Sequence, residues 1–233
     1  MSSVALITGG AVRVGRAIAL SLAEAGWDIA LHYNSSVEQA EATAGDIRLL
    51  SRRCELFPVD LADPQQVSHL VGDVVDAMGS CDLLINNASV FIPAKLTETD
   101  EELLDLTMAV NFRAPLLLMR DYAKLAKSGQ IINILDSRIA TTKTAYFAYS
   151  LSKKALAEST KLAAKELAPD IRVNGICPGL VLPADGPGRK GEESITLGSV
   201  KDVTDAVLYL LNDKRITGEL IFLDGDLNLG ITS

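Results

Sequence analysis

The sequence predicts a single α/β domain in which a doubly wound, parallel sheet carries helices on both faces. Two observations support this prediction. Short apolar runs alternate along the chain with longer stretches of helical period, and strands that are connected through helices pair in parallel. The run Leu-Leu-Ile at 83–85 is apolar at every position, which is typical of a strand covered on both faces. The seven predicted strands are 4–7, 29–33, 55–59, 83–86, 130–135, 171–176 and 220–223.

Six helical stretches separate these strands, and most carry a start or stop signal. Asp63 followed by Pro64 is typical of a helix beginning, and Gly79 is typical of a helix end. The chain contains no internal repeat and no linker, so we expect one domain over 1–233. A Gly/Pro-rich stretch at 178–198 is predicted to be a substrate loop. The predicted helices are 13–25, 37–51, 64–78, 100–127, 147–168 and 200–212.

Composition excludes several classes of protein. With 48% hydrophobic and 22% charged residues, the chain has the balance of an ordinary globular protein. No apolar run approaches the roughly 20 residues of a membrane helix, and we expect a cytoplasmic protein with no membrane partner. The net charge of -8 repels phosphate backbones, so nucleic acid is not an expected partner. Three separated cysteines and two histidines predict neither a disulfide framework nor a metal site.

A glycine-rich turn follows the first strand directly and leads into an apolar helix. Residues 8–15 read Thr-Gly-Gly-Ala-Val-Arg-Val-Gly. Glycines at such a turn let the backbone approach a pyrophosphate, which then lies at the partially positive end of the helix. Glycine-rich turns are common, but this one occupies the position in a βαβ unit where dinucleotides bind. The turn therefore predicts a nicotinamide dinucleotide cofactor.

The end of the second strand favours NADPH over NADH. NAD enzymes usually carry an acidic residue there for the ribose 2′-hydroxyl, whereas this chain reads His-Tyr-Asn-Ser-Ser at 32–36. The hydroxyls of Ser35 and Ser36, with Arg13 or Arg16 nearby, would suit a 2′-phosphate. The same serines would also suit a helix cap. Asp60 and Leu61, at the end of the third strand, are candidate adenine contacts, although Asp60 could equally cap a helix.

Tyr149 and Lys153 are the candidate catalytic pair. Their spacing of four places the phenol and the ammonium on the same face of a predicted helix. A nearby cation favours the phenolate, so the proton of Tyr149 could move at neutral pH. Such a pair is common on surface helices, but here Asp136 ends the fifth strand 13 residues earlier and Asn111 lies in the preceding helix. The carboxyl ends of parallel strands face the ligand crevice, which brings these groups towards one site.

Taken together, these motifs resemble those of the short-chain dehydrogenases and reductases, whose domain is a Rossmann fold. The glycine-rich turn, Asn-Asn-Ala at 86–88, Asn111, the Tyr-x-x-x-Lys pair and Pro-Gly at 178–179 fall in the order of that family. The resemblance implies hydride transfer to a carbonyl or imine, with Lys153 holding the nicotinamide ribose and Asn111 anchoring a water. It also implies a homotetramer assembled through helices 100–127 and 147–168. The predicted cofactor-binding residues are Gly9, Arg13, Val14, Gly15, His32, Tyr33, Asn34, Ser35, Ser36, Asp60, Leu61, Asn87, Ala88, Ser89, Tyr149, Lys153, Pro178 and Gly179.

Two departures from the common family pattern are similar to those of pteridine reductases. Arg13 replaces the middle glycine of the turn, and Asp136 replaces the usual catalytic serine. The resemblance implies that Phe91 stacks on a pterin ring and that Ser89 and Arg13 hydrogen-bond near it. Asp136 and Tyr149 would together supply a proton to a ring nitrogen, which requires that Asp136 keep its proton. The predicted substrate residues are Ser89, Phe91, Asp136 and Tyr149.

Two other functions remain open from the sequence. A carbonyl reductase of the 3-ketoacyl-carrier-protein or sugar type would use the same Tyr149 and Lys153, but it is expected to carry serine in place of Asp136. A non-catalytic module that senses a dinucleotide would need only the Rossmann fold. Such a module has no need for Tyr149, Lys153 and Asn111 together, so a pterin-reducing enzyme is the preferred interpretation.

Overall fold

A computed structural model describes residues 2–179 and 198–224. Within these segments the chain forms a seven-stranded sheet with the order β3-β2-β1-β4-β5-β6-β7, and every neighbouring pair of strands is parallel. The structure confirms the predicted fold class. The strands are β1 (Val4–Ile7), β2 (Asp28–Tyr33), β3 (Cys54–Pro58), β4 (Leu83–Asn86), β5 (Gly129–Ile134), β6 (Ile171–Pro178) and β7 (Leu220–Leu223).

The helices follow the predicted pattern with one difference. The single helix expected over 100–127 is two α-helices joined by a π-helical turn at Ala109–Arg113. The expected signals at 63–64 and at Gly79 are confirmed, because the Asp63 side chain caps the helix that follows it and Gly79 adopts a left-handed φ of 92°. The helices are α1 (Arg13–Glu24), α2 (Val37–Leu49), α3 (Pro64–Met78), α4 (Glu101–Met108), α5 (Ala114–Leu125), α6 (Phe147–Leu167) and α7 (Val200–Asn212).

Apolar side chains cover the sheet on both faces. Successive residues of a strand point to opposite faces, so Leu6 and Leu84 belong to one buried cluster and Ile7 and Ile85 to the other. Each fully buried side chain of this size contributes about 1.5–3 kcal/mol relative to exposure. On the first face, the helical partners include Leu70 of α3, Leu118 of α5 and Leu156 of α6; on the second, they include Ile18 of α1, Ile47 of α2 and Val207 of α7.

The strand order reverses between β1 and β4. At such a switch point the loops after neighbouring strands leave in opposite directions, and a crevice opens at the carboxyl ends of the strands. The turn after β1 and the segment after β4 therefore meet at this crevice. Most of the predicted substrate loop, 180–197, lies outside the described residues. None of the helices in the described part of the chain is long and apolar enough to cross a membrane.

Candidate active site

A cavity of about 640 Å³ lies at the carboxyl ends of the central strands. All predicted cofactor-binding and substrate residues line it, although they come from segments as distant in sequence as Gly9 and Gly179. Asn111 is the predicted catalytic residue that does not line the cavity, since it lies fully buried behind the cavity wall. The structure therefore gathers the residues that the motifs single out into one site.

Hydrogen bonds from neighbouring strands hold the glycine-rich turn. The Asn87 side chain donates to the carbonyls of Thr8 and Gly9, at 2.9 and 3.1 Å. Gly9 has a left-handed φ of 63°, and a Cβ at this position would come within 3.0 Å of the Ala88 backbone. A Cβ at Gly15 would collide with the carbonyl oxygen of Gly9. The turn and the segment after β4 thus pack too closely for side chains at these two glycines.

The first turn of α1 is open to an anion. Its N-cap, Val12, makes no side-chain capping bond, and the first turn contains no acidic residue. The backbone N–H groups at a helix start lack intrahelical partners, and together with the helix dipole they attract negative charge. The close-packed glycines and this uncapped helix start fit the pyrophosphate of a dinucleotide.

His32 supports the turn from the second strand. Its ring lies only 1% exposed, Nδ1 accepts a hydrogen bond from the N–H of Gly9 at 3.0 Å, and Nε2 lies 3.0 Å from the carbonyl oxygen of Val59. This pattern requires a neutral ring with its proton on Nε2. Burial lowers the pKa of His32 to about 4, which keeps the ring neutral at physiological pH. The polar atoms of His32 are thus engaged with the protein.

Of the two arginines that the sequence offers for the 2′-phosphate, Arg13 is the one at the cavity. Arg13 lines the cavity, whereas Arg16 forms an exposed ion pair of 2.6 Å with Asp46 of α2. Arg13 also has a φ of 52°, a conformation that is unfavourable for residues with a side chain. Ser35 and Ser36 line the cavity too, and Ser36 makes no capping bond to α2. The alternative that Ser36 caps this helix through its side chain is therefore not what the structure shows.

Asp60 stabilises a turn at the rim of the cavity. Its carboxylate accepts a hydrogen bond from the N–H of Ala62 at 2.9 Å. The next helix, α3, is capped by Asp63, which accepts from the N–H groups of Gln65 and Gln66. The alternative that Asp60 caps α3 is therefore wrong, because Asp63 occupies the cap position.

Tyr149 and Asp136 form a direct hydrogen bond. The phenol of Tyr149 donates to Asp136 Oδ2 at 2.8 Å. Arg138 donates to both oxygens of the same carboxylate, from its backbone N–H to Oδ1 at 2.7 Å and from Nη1 to Oδ2 at 3.0 Å. Arg138 thus forms an ion pair with this carboxylate, and these contacts include no proton donated by Asp136, whereas the resemblance to pteridine reductases implies such a proton.

The pKa of Tyr149 shifts in the direction opposite to the one expected from a neighbouring Lys153. Burial and the adjacent charge of Asp136 raise the pKa of Tyr149 well above its usual value of 10.0, so the phenol keeps its proton. Burial lowers the pKa of Lys153 to about 8, and its ammonium donates to the carbonyl of Ile134 at 2.8 Å. At neutral pH the site therefore presents a neutral phenol and a protonated amine.

Asn111 organises the segment after β4 through its side chain. Its Oδ1 accepts from the N–H of Val90 at 2.7 Å and from the Ser89 hydroxyl at 3.2 Å. Its Nδ2 donates to the Val90 carbonyl at 2.9 Å and to the Ser152 hydroxyl at 3.2 Å. Asn111 lies in the π-helical turn, and such widened turns recur at functional sites. The side chain thus ties the wall that carries Ser89 to the helix that carries Tyr149.

Phe91 lines the cavity and belongs to an aromatic cluster. Its ring stacks on Tyr146 with 4.3 Å between centroids and an angle of 9°, and it packs edge-on with Tyr149 at 4.6 Å. The side chain is 44% exposed, unlike a typical core phenylalanine. One face of Phe91 is already stacked, so a flat substrate would use the other face or replace Tyr146.

Sequence reasoning missed two residues of this site. Arg138 was not predicted, because its contact with Asp136 depends on the short turn at Ser137–Ala140 that brings its side chain back to the end of β5. Thr8 was noted only as part of the turn. Its hydroxyl accepts from the backbone N–H groups of Asn87 and Ala88, at 2.9 and 3.1 Å, and it joins the turn to the end of β4.

The comparison with protein families agrees with this geometry. The family model described as short chain dehydrogenase matches residues 3–190. This match spans most of the chain, and the chain belongs to the short-chain dehydrogenase family. The result confirms the resemblance drawn from the motifs and the expectation of an oxidoreductase.

Three similar proteins carry the names of different reductases. FolM alternative dihydrofolate reductase 1 from Brucella suis, crystallised in complex with NADP, matches with a TM-score of 0.91 and 34% identity, covering 99% of this chain and 97% of that one. Pteridine reductase 1 of Leishmania tarentolae is 32% identical, covering 97% of this chain and 96% of its own length. The 3-oxoacyl-acyl-carrier-protein reductase of Staphylococcus aureus is 30% identical, covering 97% and 98%.

Proposed function

We propose that this chain is an NADPH-dependent reductase that transfers a hydride to a pterin-like ring of the dihydropterin or dihydrofolate class. The observation that carries the proposal is the 2.8 Å contact between the Tyr149 phenol and the Asp136 carboxylate, next to the exposed ring of Phe91. A flat, nitrogen-rich ring needs an aromatic surface to stack on and a proton source beside it. The names of the Brucella and Leishmania relatives point to the same substrate class.

The cavity has the features that NADPH requires. The uncapped start of α1 would hold the pyrophosphate, and Arg13, Ser35 and Ser36 would hold the 2′-phosphate. Arg13 keeps its side chain despite a backbone conformation that glycine would adopt at lower cost, which is consistent with a use for the guanidinium. The crystal structure of the Brucella relative contains bound NADP, which supports the same cofactor here.

In this proposal, some residues of the chain would orient the cofactor and the substrate, and others would supply a proton. The bound cofactor supplies the hydride. Tyr149 keeps its proton at neutral pH, in the hydrogen bond to Asp136 Oδ2. Asp136 would hold the phenol until the substrate binds, and the phenol would then transfer this proton from the carboxylate contact to a ring nitrogen. The ammonium of Lys153, held by the Ile134 carbonyl, would bind the nicotinamide ribose. Ser89 would hydrogen-bond to the substrate ring.

The sequence-based expectation of a homotetramer remains a proposal. Large apolar side chains are exposed along the two helices that would form its interfaces, with Leu116 on α5 and Leu151 and Leu162 on α6 at 41%, 47% and 70% exposure. Exposed leucines on neighbouring helix faces are typical of surfaces that associate. We therefore propose that α4–α5 and α6 pack between subunits.

Replacing Asp136 tests the substrate class. We expect Asp136→Ser to lower kcat/KM for dihydrobiopterin about 100-fold, because the phenol loses its carboxylate partner, and to lower reduction of an acetoacetyl thioester much less. The measurement is steady-state NADPH oxidation with both substrates. Asp73→Ser, at an exposed acid on α3, is the matched control and should leave both rates unchanged. An unchanged ratio of the two substrates in Asp136→Ser would contradict the pterin role of this residue.

A further inference from the structure

We propose that Arg138 is a positioning residue for the proton-transferring pair, which holds the Asp136 carboxylate in the orientation that receives Tyr149. The inference rests on the proposed role of Tyr149 and Asp136 in proton supply, and it adds a residue that the motifs do not include. The observation is the contact of Arg138 with both carboxylate oxygens of Asp136 at the carboxyl end of β5.

The geometry fixes the rotation of the carboxylate. The backbone N–H of Arg138 binds Oδ1 at 2.7 Å, and its Nη1 binds Oδ2 at 3.0 Å. Tyr149 binds the same Oδ2 at 2.8 Å. With donors on both oxygens, the carboxylate cannot turn about its last torsion without losing a hydrogen bond. The phenol of Tyr149 is held in place as a result.

The charge of Arg138 matters because Asp136 is largely shielded from water. The side chains of Asp136 and Arg138 are 13% and 30% exposed. Asp136 also faces Lys153 and Cys177, but the ammonium of Lys153 donates to the Ile134 carbonyl. Among the residues that the structure describes, Arg138 is the cation in direct contact with this carboxylate. Its removal would leave a partly buried charge without its counter-ion.

The guanidinium is itself held by its surroundings. Its central carbon lies 5.1 Å from the ring centroids of both Phe91 and Tyr146. The turn that carries Arg138, Ser137–Ala140, is fastened to α6 by Lys154, whose ammonium donates to the carbonyls of Ile139 and Thr141 at 2.8 and 2.9 Å. Arg138 therefore contacts both the rings of Phe91 and Tyr146 and the carboxylate that binds Tyr149.

Three variants of Arg138 separate a positioning role from a general effect on folding. We expect Arg138→Met to lower kcat about 10- to 100-fold, since small displacements of a reacting group cost rates of this order. Arg138→Lys, which restores a cation, should recover part of the loss. In Arg138→Ala, millimolar guanidinium should raise kcat while the same concentration of sodium should not. The Kd of NADPH, measured by protein fluorescence, should stay within about twofold of wild type in each variant. The reason is that Arg138 binds Asp136, whereas the pyrophosphate is assigned to the start of α1.

Lys143→Met is the matched control, since Lys143 is an exposed cation a few residues further along the same segment. An unchanged kcat in Arg138→Met would overturn the inference. So would a loss of kcat that neither lysine nor guanidinium relieves and that comes with weaker NADPH binding, because Arg138 would then be a structural residue. If the wild-type enzyme reduces no pterin, the proposed substrate fails, and the same series measured on the acetoacetyl thioester then tests Arg138 by itself.

Discussion

His32 joins the ends of three neighbouring strands through a single neutral ring. It lies in β2, accepts from the turn after β1 at Gly9 and contacts the carbonyl that follows β3 at Val59. Protonation would remove the acceptor for the Gly9 N–H and place a charge in a nearly water-free site. The phosphate-binding turn therefore depends on a histidine that stays neutral, and acid should weaken it.

The pH dependence of stability tests this account of His32. The pKa is about 4 in the folded chain against 6.5 for a free histidine, so the unfolded state takes up the proton first as the pH falls. When the pH is lowered from about 8 to about 5, this difference in the pKa of His32 should lower the free energy of unfolding by about 2 kcal/mol. His32→Gln keeps one donor and one acceptor but does not titrate. Its loss of unfolding free energy between pH 8 and pH 5 should therefore be about 2 kcal/mol smaller than that of the wild type. Urea unfolding at both pH values measures the difference.

The other histidine supplies the control. His69 is exposed on α3, so His69→Gln should follow the wild-type pH dependence. If His32→Gln loses as much stability on acidification as the wild type does, the ring is not held neutral and the assignment of its hydrogen bonds is incorrect.

Single residues were predictable from sequence where their type is unusual for the position. Asp136 in place of serine and Arg13 in place of glycine both mark the cavity that the structure shows. Their partners were not predictable. Arg138 reaches Asp136 through the geometry of a short turn, and Asn111 contacts Val90 and Ser152, which lie 21 and 41 residues away from it in sequence. Such contacts depend on tertiary packing, and the spacing of residues in a sequence motif gives no information about that packing.

At the scale of elements, the strands were predicted to within two residues at each end. Buried strands of a parallel sheet are apolar throughout, and their boundaries coincide with the change to polar or glycine residues. The helix expected over 100–127 was wrong in one respect, since its pattern of apolar residues continues through the π-helical turn at Ala109–Arg113. The turn is stabilised by side-chain bonds from Asn111 to other elements, and no local signal marks it.

The exposed leucines of α6 allow a test of the proposed subunit contacts. We expect Leu151→Glu to lower the oligomeric state, because a charge on an apolar interface is costly to bury. Sedimentation velocity of the purified protein should show a tetramer for wild type and smaller species for the variant. Leu49→Glu, at an 84% exposed leucine on α2, is the control and should sediment like wild type. A wild-type monomer would contradict the proposal.

At the scale of the whole molecule, the doubly wound topology explains why one cavity gathers residues from the entire chain. The strand order reverses between β1 and β4, so the segments after these two strands face each other across the crevice. The alternation of strands and helices predicts this crevice, and the motifs that resemble those of short-chain dehydrogenases single out residues that line it. The stretch at 178–198 has no periodic pattern in its sequence, and its role as a substrate loop stays a prediction because residues 180–197 lie outside the described part of the chain.

The assay that tests the central claim most directly follows NADPH oxidation at the nicotinamide absorbance with dihydrobiopterin, dihydrofolate and an acetoacetyl thioester offered in parallel. NADH serves as the cofactor control. We predict turnover of at least one of the two pterin substrates with NADPH, a lower rate with NADH, and little turnover of the thioester. Turnover of the thioester alone would contradict the account, since it would mean that Asp136 and Phe91 serve a carbonyl reductase rather than a pterin reductase.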